Sequence, residues 1–438
     1  MPQELDKILI CCRDADFEKR MKKLRSALAL AARFADYGSS ENQQVVDILR
    51  DVADHGDKAL AKYTAEFDAV KLKPDQFRIR EEELEKARRE LDNDIMASLR
   101  QAIDNVWAYQ RDILINRDEV PRGIKYTPIR RIGICVPGAS APLPSSVIMT
   151  AVPAQVAGVK EIAVVSPPRH EGSIHPVILA VCCELGIGEV YRIGGAQAVA
   201  ALASGTETIG KVDKIVGPGN KWVQSAKKNV AGDYVGIDSI AGPSEVVIIA
   251  NEQANPAWIA ADMLSQAEHA ADSIAIVVTD SEQLAKETLV ELQKQAPELP
   301  RADAAIKSLK KFGAIVVVEN ISAAIEIADE FAAEHLEIQC GQESRGIAEK
   351  INNAGAIFVG SYSPVAVGDY WAGPSHTLPT GTRAKFASAL SCNDFLKSIS
   401  IVEYDAEMLA ASADDIIRLA QIEGLDAHGK SVKIRQQG

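Results

Sequence analysis

From Arg130 onward, short β-branched runs alternate with alanine-rich helical stretches, and this alternation constrains the fold more than any other feature of the chain. A first series of runs covers 132–136, 161–165, 190–193 and 214–216. A second covers 246–250, 274–279, 314–319 and 356–360, with predicted helices over 257–267, 282–294, 322–333 and 344–352. Strands that are apolar throughout, rather than at every second position, belong to a parallel sheet buried on both faces. Two such series predict an α/β protein with two doubly wound, incomplete Rossmann-like units. Upstream, residues 16–115 have a helical period: Val45, Val46, Ile48, Leu49 and Val52 form one stripe, and Ala59, Leu60 and Tyr63 continue it after Gly56. Residues 81–115 read as one long amphipathic helix. After Gly373-Pro374 the chain turns irregular, then closes with an acidic helical segment near 406–421 and a tail, 423–438.

The length of 438 residues exceeds what one hydrophobic core serves well, so two or three lobes are expected. The apolar (47%) and charged (25%) fractions exclude a disordered, collagenous or disulfide-stapled chain. Net charge is 48 − 61 = −13, which disfavours nucleic acid and anionic membranes as partners. Short basic stretches such as Lys19 to Arg25 read as a solvated helix face. No apolar run reaches the roughly 18 residues of a spanning helix, and the first residues lack the basic-then-apolar order of a secretory signal, so a cytoplasmic protein is expected. Seven cysteines without C-x-x-C spacing read as reduced packing residues.

Three glycine-rich turns follow strands of the first series: Val136-Pro137-Gly138-Ala139, Gly194-Gly195-Ala196-Gln197 and Gly217-Pro218-Gly219-Asn220. Each permits close approach of a ligand to the backbone, and two lead directly into a helix whose N-terminus suits a pyrophosphate. None is G-x-G-x-x-G. A tight turn needing positive φ explains each singly, but three on one sheet edge, with Gln197 and Asn220 able to hydrogen-bond a ribose or carboxamide, point to a nucleotide site.

Four of the seven histidines lie beside other polar residues. Gln266 and His269 are three apart on a helix and share a face. Glu334 and His335 adjoin at a helix-to-strand junction. Asp369 and His376 share a loop, and Glu423 and His428 lie near the C-terminus. Oxygen and nitrogen donors without thiolates suit zinc or manganese and oppose a closed structural zinc site. His55, His170 and His175 have no such company and receive no role.

These motifs carry a resemblance. Ile237-Asp238-Ser239-Ile240-Ala241-Gly242-Pro243-Ser244-Glu245, running on through Asp262-Met263-Leu264-Ser265-Gln266-Ala267-Glu268-His269, resembles the signature of the histidinol dehydrogenase family. The glycine turns, Ala333-Glu334-His335-Leu336-Glu337-Ile338 and the stretch from Gly368-Asp369-Tyr370 to His376-Thr377-Leu378-Pro379-Thr380 extend the likeness over nearly the whole chain.

The resemblance implies oxidation of L-histidinol to L-histidine, the last steps of histidine biosynthesis, in two NAD-dependent steps through an enzyme-held aldehyde. It implies one zinc per subunit, held by Gln266, His269, Asp369 and His428, with Glu334 and His335 as the acid–base pair. Ser244, His376 and Glu423 match positions around the substrate, which the zinc ligands and His335 also face. Gln197, Asn220 and Cys135 match NAD contacts; at Cys135 the family often has a tyrosine, and Trp371 and Ser375 are less usual choices in their loop. A homodimer is implied, with Glu423 and His428 completing the partner's site. The expected division is a helical arm over 1–30, a first α/β lobe of 31–134 plus 246–390 carrying most zinc and catalytic residues, an NAD lobe over 135–245, and a dimerisation tail over 391–438. The alternatives are a homologous zinc and NAD enzyme acting on another primary alcohol, such as a sulfonated diol, and a non-catalytic homologue.

Overall fold

The computed structural model describes residues 5–29, 39–116, 123–138, 142–240 and 242–436; Ala139 of the first glycine turn and Ala241 of the signature lie outside them. The chain divides into two units, Met1–Leu114 with Ile129–Phe395, and Ile115–Pro128 with Leu396–Gly438.

In chain order the first unit begins with β1 (Leu9–Cys11), α1 (Phe17–Ala29), α2 (Ser40–Phe67), α3 (Glu81–Glu90) and α4 (Asn93–Ile113). After β2 (Ile124–Pro128), which belongs to the second unit, come β3 (Arg131–Cys135), α5 (Pro144–Ala157), β4 (Glu161–Val165), α6 (Pro176–Glu184), β5 (Glu189–Tyr191), α7 (Gly195–Ser204), β6 (Lys214–Val216), α8 (Lys221–Val230) and β7 (Gly236–Ile237). These five strands form a parallel sheet in the order β5-β4-β3-β6-β7. The second series is β8 (Glu245–Ala250), α9 (Pro256–Ala267), β9 (Ile274–Thr279), α10 (Glu282–Gln295), α11 (Ala302–Phe312), β10 (Gly313–Val317), α12 (Ile321–Phe331), β11 (His335–Gln339), α13 (Ser344–Ala348), β12 (Ala356–Val359) and α14 (Val365–Tyr370). Its sheet, also parallel, runs β1-β10-β9-β8-β11-β12.

The expected double winding is present, and β8 shows why its sequence is apolar throughout. Val246, Ile248 and Ala250 enter one core cluster with α9, α10 and α11, whereas Val247 and Ile249 enter another with α1 and α12. Both faces are thus dry, and each large side chain so buried contributes roughly 1.5–3 kcal/mol.

Helix starts follow local chemistry. The side chains of Asn220, Asn255, Ser281 and Asn320 accept first-turn N–H groups of α8, α9, α10 and α12, which satisfies donors that have no intrahelical partner.

Four boundary expectations are corrected. The single helix over 81–115 is two, because Asp92 turns out of helical geometry and its Oδ1 accepts the N–H groups of Asp94 and Ile95. Residues 1–30 are more than a helical arm, since β1 pairs with β10 as the edge of the six-stranded sheet. The stripe on α2 packs with α7 and α8 against the five-stranded sheet rather than with residues 246–390; Val45, Ile48, Val52, Leu60 and Tyr63 share a core with Ala163, Val199 and Ile215. The second unit starts at Leu396 instead of 391 and takes in residues 115–128, because β13 (Leu396–Ser400) pairs antiparallel with β2. That unit ends with α15 (Ala406–Ile422), capped by Asp405, and α16 (Asp426–Arg435).

All seven cysteines are free. No helix among the described residues is long and apolar enough to cross a membrane.

Candidate active site

A buried polar cluster lies at the amino ends of β8 and β11, neighbouring strands of the six-stranded sheet. Glu245 and Glu334 hold each other through the backbone: the Glu245 N–H donates to Glu334 Oε2 at 2.9 Å, and the Glu334 N–H donates to Glu245 Oε2 at 3.3 Å. The Gly381 N–H adds 2.9 Å to Glu245 Oε1. His335 Nδ1 stands 2.9 Å from the Glu245 carbonyl oxygen. A carbonyl only accepts, so Nδ1 carries the hydrogen and Nε2 the lone pair. Nε2 is buried and has no partner. Asp369 Oδ1, at the end of α14, lies 4.0 Å from that nitrogen and 3.9 Å from His376 Nδ1.

Burial sets the protonation states. It lowers both His335 and His376 to about 4, aided for each by the charge of the nearby His269, so both rings are neutral near pH 7. It also holds the Glu334 carboxyl well above the usual range, with Glu245 and Asp369 adding repulsion. Glu245 is pushed up to about 8 and Asp369 to about 6, again by burial. A neutral imidazole base therefore sits beside a protonated carboxyl, Glu334 Oε2 being 3.6 Å from His335 Nδ1.

Gln266 is 1% exposed on α9, and neither atom of its amide has a hydrogen-bond partner. An orphaned buried amide calls for an unaccounted partner. With His269 and Asp369 in the same unit, the donors are nitrogen and oxygen, which fits zinc. No group of three or more His, Cys, Asp or Glu side chains placed to hold a metal occurs among the described residues; the expected set of four includes a glutamine, and His428 belongs to the second unit. His428 on α16 and Glu423 at the end of α15 are both exposed. Ser244 is half-buried just before β8, its carbonyl accepting the Ile274 N–H. Ser375 is buried, and its hydroxyl donates to the Met149 carbonyl at 2.8 Å, an internal tie.

The glycine turns lie at the carboxyl ends of β3, β5 and β6, and the strand order reverses between β3 and β6. A cavity of about 560 Å³ opens there, walled by Cys135, Gly138, Gly195, Gln197, Asn220 and the α2 residue Ile48. Gln197 is 1% exposed and both its amide atoms lack partners. Gly195 has φ +70, and a Cβ there would sit 2.7 Å from Gln197 Oε1, so only glycine leaves that amide free to face a ligand. Asn220 spends its Oδ1 capping α8, which leaves its N–H donors for a ligand. Beneath the third turn, Lys227 is ion-paired with Asp238 and donates to the Gly217 carbonyl, while Asp238 Oδ2 accepts the Gly217 N–H at 2.7 Å.

Sequence reasoning missed Glu245, Glu337 and the Lys227–Asp238 pair. The signal was present: a carboxylate opening the apolar run of β8, and two polar residues inside the fully buried strand His335–Gln339. A charge placed in a buried parallel strand needs a reason.

A paired α/β scaffold holding a neutral imidazole base against a protonated carboxyl has the makings of a dehydrogenase. The chain belongs to the histidinol dehydrogenase family, whose model, described as "Histidinol dehydrogenase", matches residues 33–436. It is 48% identical over 399 residues to the histidinol dehydrogenase of Rhodopirellula baltica, covering 90% of this chain and 86% of that one. Against the Bacillus subtilis histidinol dehydrogenase the identity is 44% over 417 residues, 92% and 96% of the two chains. The crystal structure of histidinol dehydrogenase from Elizabethkingia anophelis superimposes with a TM-score of 0.89 at 34% identity, covering 98% of each chain.

Proposed function

We propose that this protein oxidises L-histidinol to L-histidine in two hydride transfers, retaining the aldehyde between them, and that it does so with zinc and NAD. The observation that carries the reading is the free, neutral Nε2 of His335, aimed by the Glu245 carbonyl and flanked by Asp369. When bound, zinc at Gln266, His269, Asp369 and His428 supplies a Lewis-acidic anchor for the substrate, and NAD in the cavity at Gln197, Asn220 and Cys135 accepts hydride.

The chain's own residues handle the protons. His335 Nε2 takes the alcohol proton as the first hydride leaves, giving the aldehyde. The resulting imidazolium lies 3.6 Å from Glu334 Oε2, and a cation there favours loss of the Glu334 proton. Glu334, otherwise held neutral by burial, passes its proton to solvent water and so becomes the base that takes a proton from the water adding to the aldehyde. His335 gives its proton to the aldehyde oxygen as that water adds, completing the gem-diol; its Nε2 then takes one gem-diol proton during the second hydride transfer, and the carboxylic acid formed loses its remaining proton to solvent as the carboxylate. Ser244, His376 and Glu423 border the substrate in this reading.

The exposure of His428 and Glu423 on the second unit supports a homodimer in which each protomer's tail completes the partner's site. The reading is tested by incubating the zinc-loaded protein with NAD and L-histidinol, with a sulfonated diol and other primary alcohols alongside. NADH formation selective for L-histidinol is expected. Preference for another alcohol would reassign the substrate, and no NADH from any would reject the enzyme.

A further inference from the structure

Glu337 is buried and Asp262 half-buried in the first unit, outside the acid–base pair and the zinc set. Their carboxyl groups are neighbours and perturb each other. Gln339 Nε2 donates to both, at 2.7 Å to Asp262 Oδ2 and 3.1 Å to Glu337 Oε2. The other oxygen of Glu337, Oε1, accepts the backbone N–H of Val365 at 3.0 Å. Three elements are thereby joined. Asp262 is on α9 one turn before Gln266; Glu337 and Gln339 share a face of β11 with His335, at alternate positions; Val365 opens α14 one turn before Asp369.

We propose that Asp262, Glu337 and Gln339 are positioning residues: a hydrogen-bonded strut that fixes α9, β11 and α14 and so sets where Gln266, His335 and Asp369 meet zinc and substrate. The proposal rests on the function given above. Two carboxylates in contact in a buried site do not both ionise; burial and the neighbouring Asp262 hold the Glu337 carboxyl well above the carboxylate range, so Glu337 keeps the proton. The strut therefore works by geometry rather than by net charge. Groups that orient metal ligands typically govern metal affinity or activity by about 10- to 100-fold, and this strut acts through the elements that carry Gln266 and Asp369.

The test uses the full-length protein and three readouts: zinc affinity by chelator competition, kcat and KM for L-histidinol, and hydrogen exchange of the Val365 amide in chelator-treated protein. Circular dichroism checks folding. Glu337→Leu cuts the tie to α14, and Asp262→Ala cuts the tie to α9. Each is expected to weaken zinc about 10- to 100-fold and to lower kcat more than it raises KM, and Glu337→Leu should also speed Val365 exchange. Glu337→Gln still accepts from Val365 and can donate to Asp262 but loses the bond from Gln339 Nε2, and should bring all three readouts back to within about fivefold, the order of one typical hydrogen bond. Unchanged zinc affinity and kcat in either cut variant would overturn the proposal. So would a Glu337→Gln as impaired as Glu337→Leu. If Glu337→Leu does not fold, Asp262→Ala against Glu337→Gln decides on the same criteria. If the unsubstituted protein takes up no zinc, the zinc reading fails, and Val365 exchange alone judges the strut.

Discussion

His335 donates its Nδ1–H to the backbone carbonyl of Glu245, 2.9 Å away, and this bond leaves Nε2 as the ring nitrogen with the free lone pair. A backbone acceptor has no protonation state to lose, so the tautomer persists over the working pH range. His335→Asn isolates the point, because the asparagine amide can still donate to that carbonyl but offers no base. Turnover should fall by about 10² or more, with zinc content unchanged by metal analysis. Near-normal kcat would remove His335 from its role.

Gln266 gives a prediction of opposite sign in two measurements. Its buried amide is unpartnered, which costs stability when no ligand is present. Gln266→Leu should raise the stability of chelator-treated protein by about 1 kcal/mol, read as a higher Tm, while metal analysis shows zinc lost. A lower Tm with full zinc occupancy would refute the assignment. His428→Ala should likewise lose zinc, without the gain in Tm, since its side chain is exposed.

Glu245 predicts a pH dependence. Burial raises its pKa from the ordinary 4.5 to about 8, so the folded chain holds this proton more tightly than the unfolded chain does. The stabilisation is complete below pH 4.5 and is lost as pH rises through 8, with a slope of up to about 1.4 kcal/mol per pH unit. Urea titrations of chelator-treated protein between pH 5 and 9 should show that decline. Glu245→Gln should flatten it, at a cost of about 1 kcal/mol for one lost acceptor. An unchanged slope would assign the decline to other groups.

Lys227 and Asp238 form an ion pair with side chains 1% and 3% exposed, under the turn Gly217–Asn220. Lys227→Met leaves Asp238 buried without its cation, and should cost about 3–5 kcal/mol in urea unfolding and raise KM for NAD. An unchanged KM in the folded variant would show that the pair serves stability alone.

Much of this was legible in the sequence. Apolar runs located most strands to within a residue or two, because strands dry on both faces leave no polar alternation to confuse them. The break at Asp92 was not, since the period of 81–115 continues through it and only the cap reveals the stop. The strand Leu9–Cys11 was too short to register, and was decided by a long-range partner, β10. Looking first at the carboxyl ends of strands located the glycine-turn cavity but not the histidine cluster, which sits at the amino ends of β8 and β11. Glu334 and His335 came from their motif. Glu245 and Glu337 acquire meaning only through neighbours about ninety and seventy-five residues away along the chain, Glu334 and Asp262.

The most direct test counts NADH against histidine when the zinc-loaded protein is given L-histidinol and excess NAD. Two NADH per histidine, with no aldehyde captured by a trapping amine in solution, is the predicted result. One NADH per histidinol with aldehyde released would contradict retention of the intermediate and, with it, the successive proton roles of His335 and Glu334.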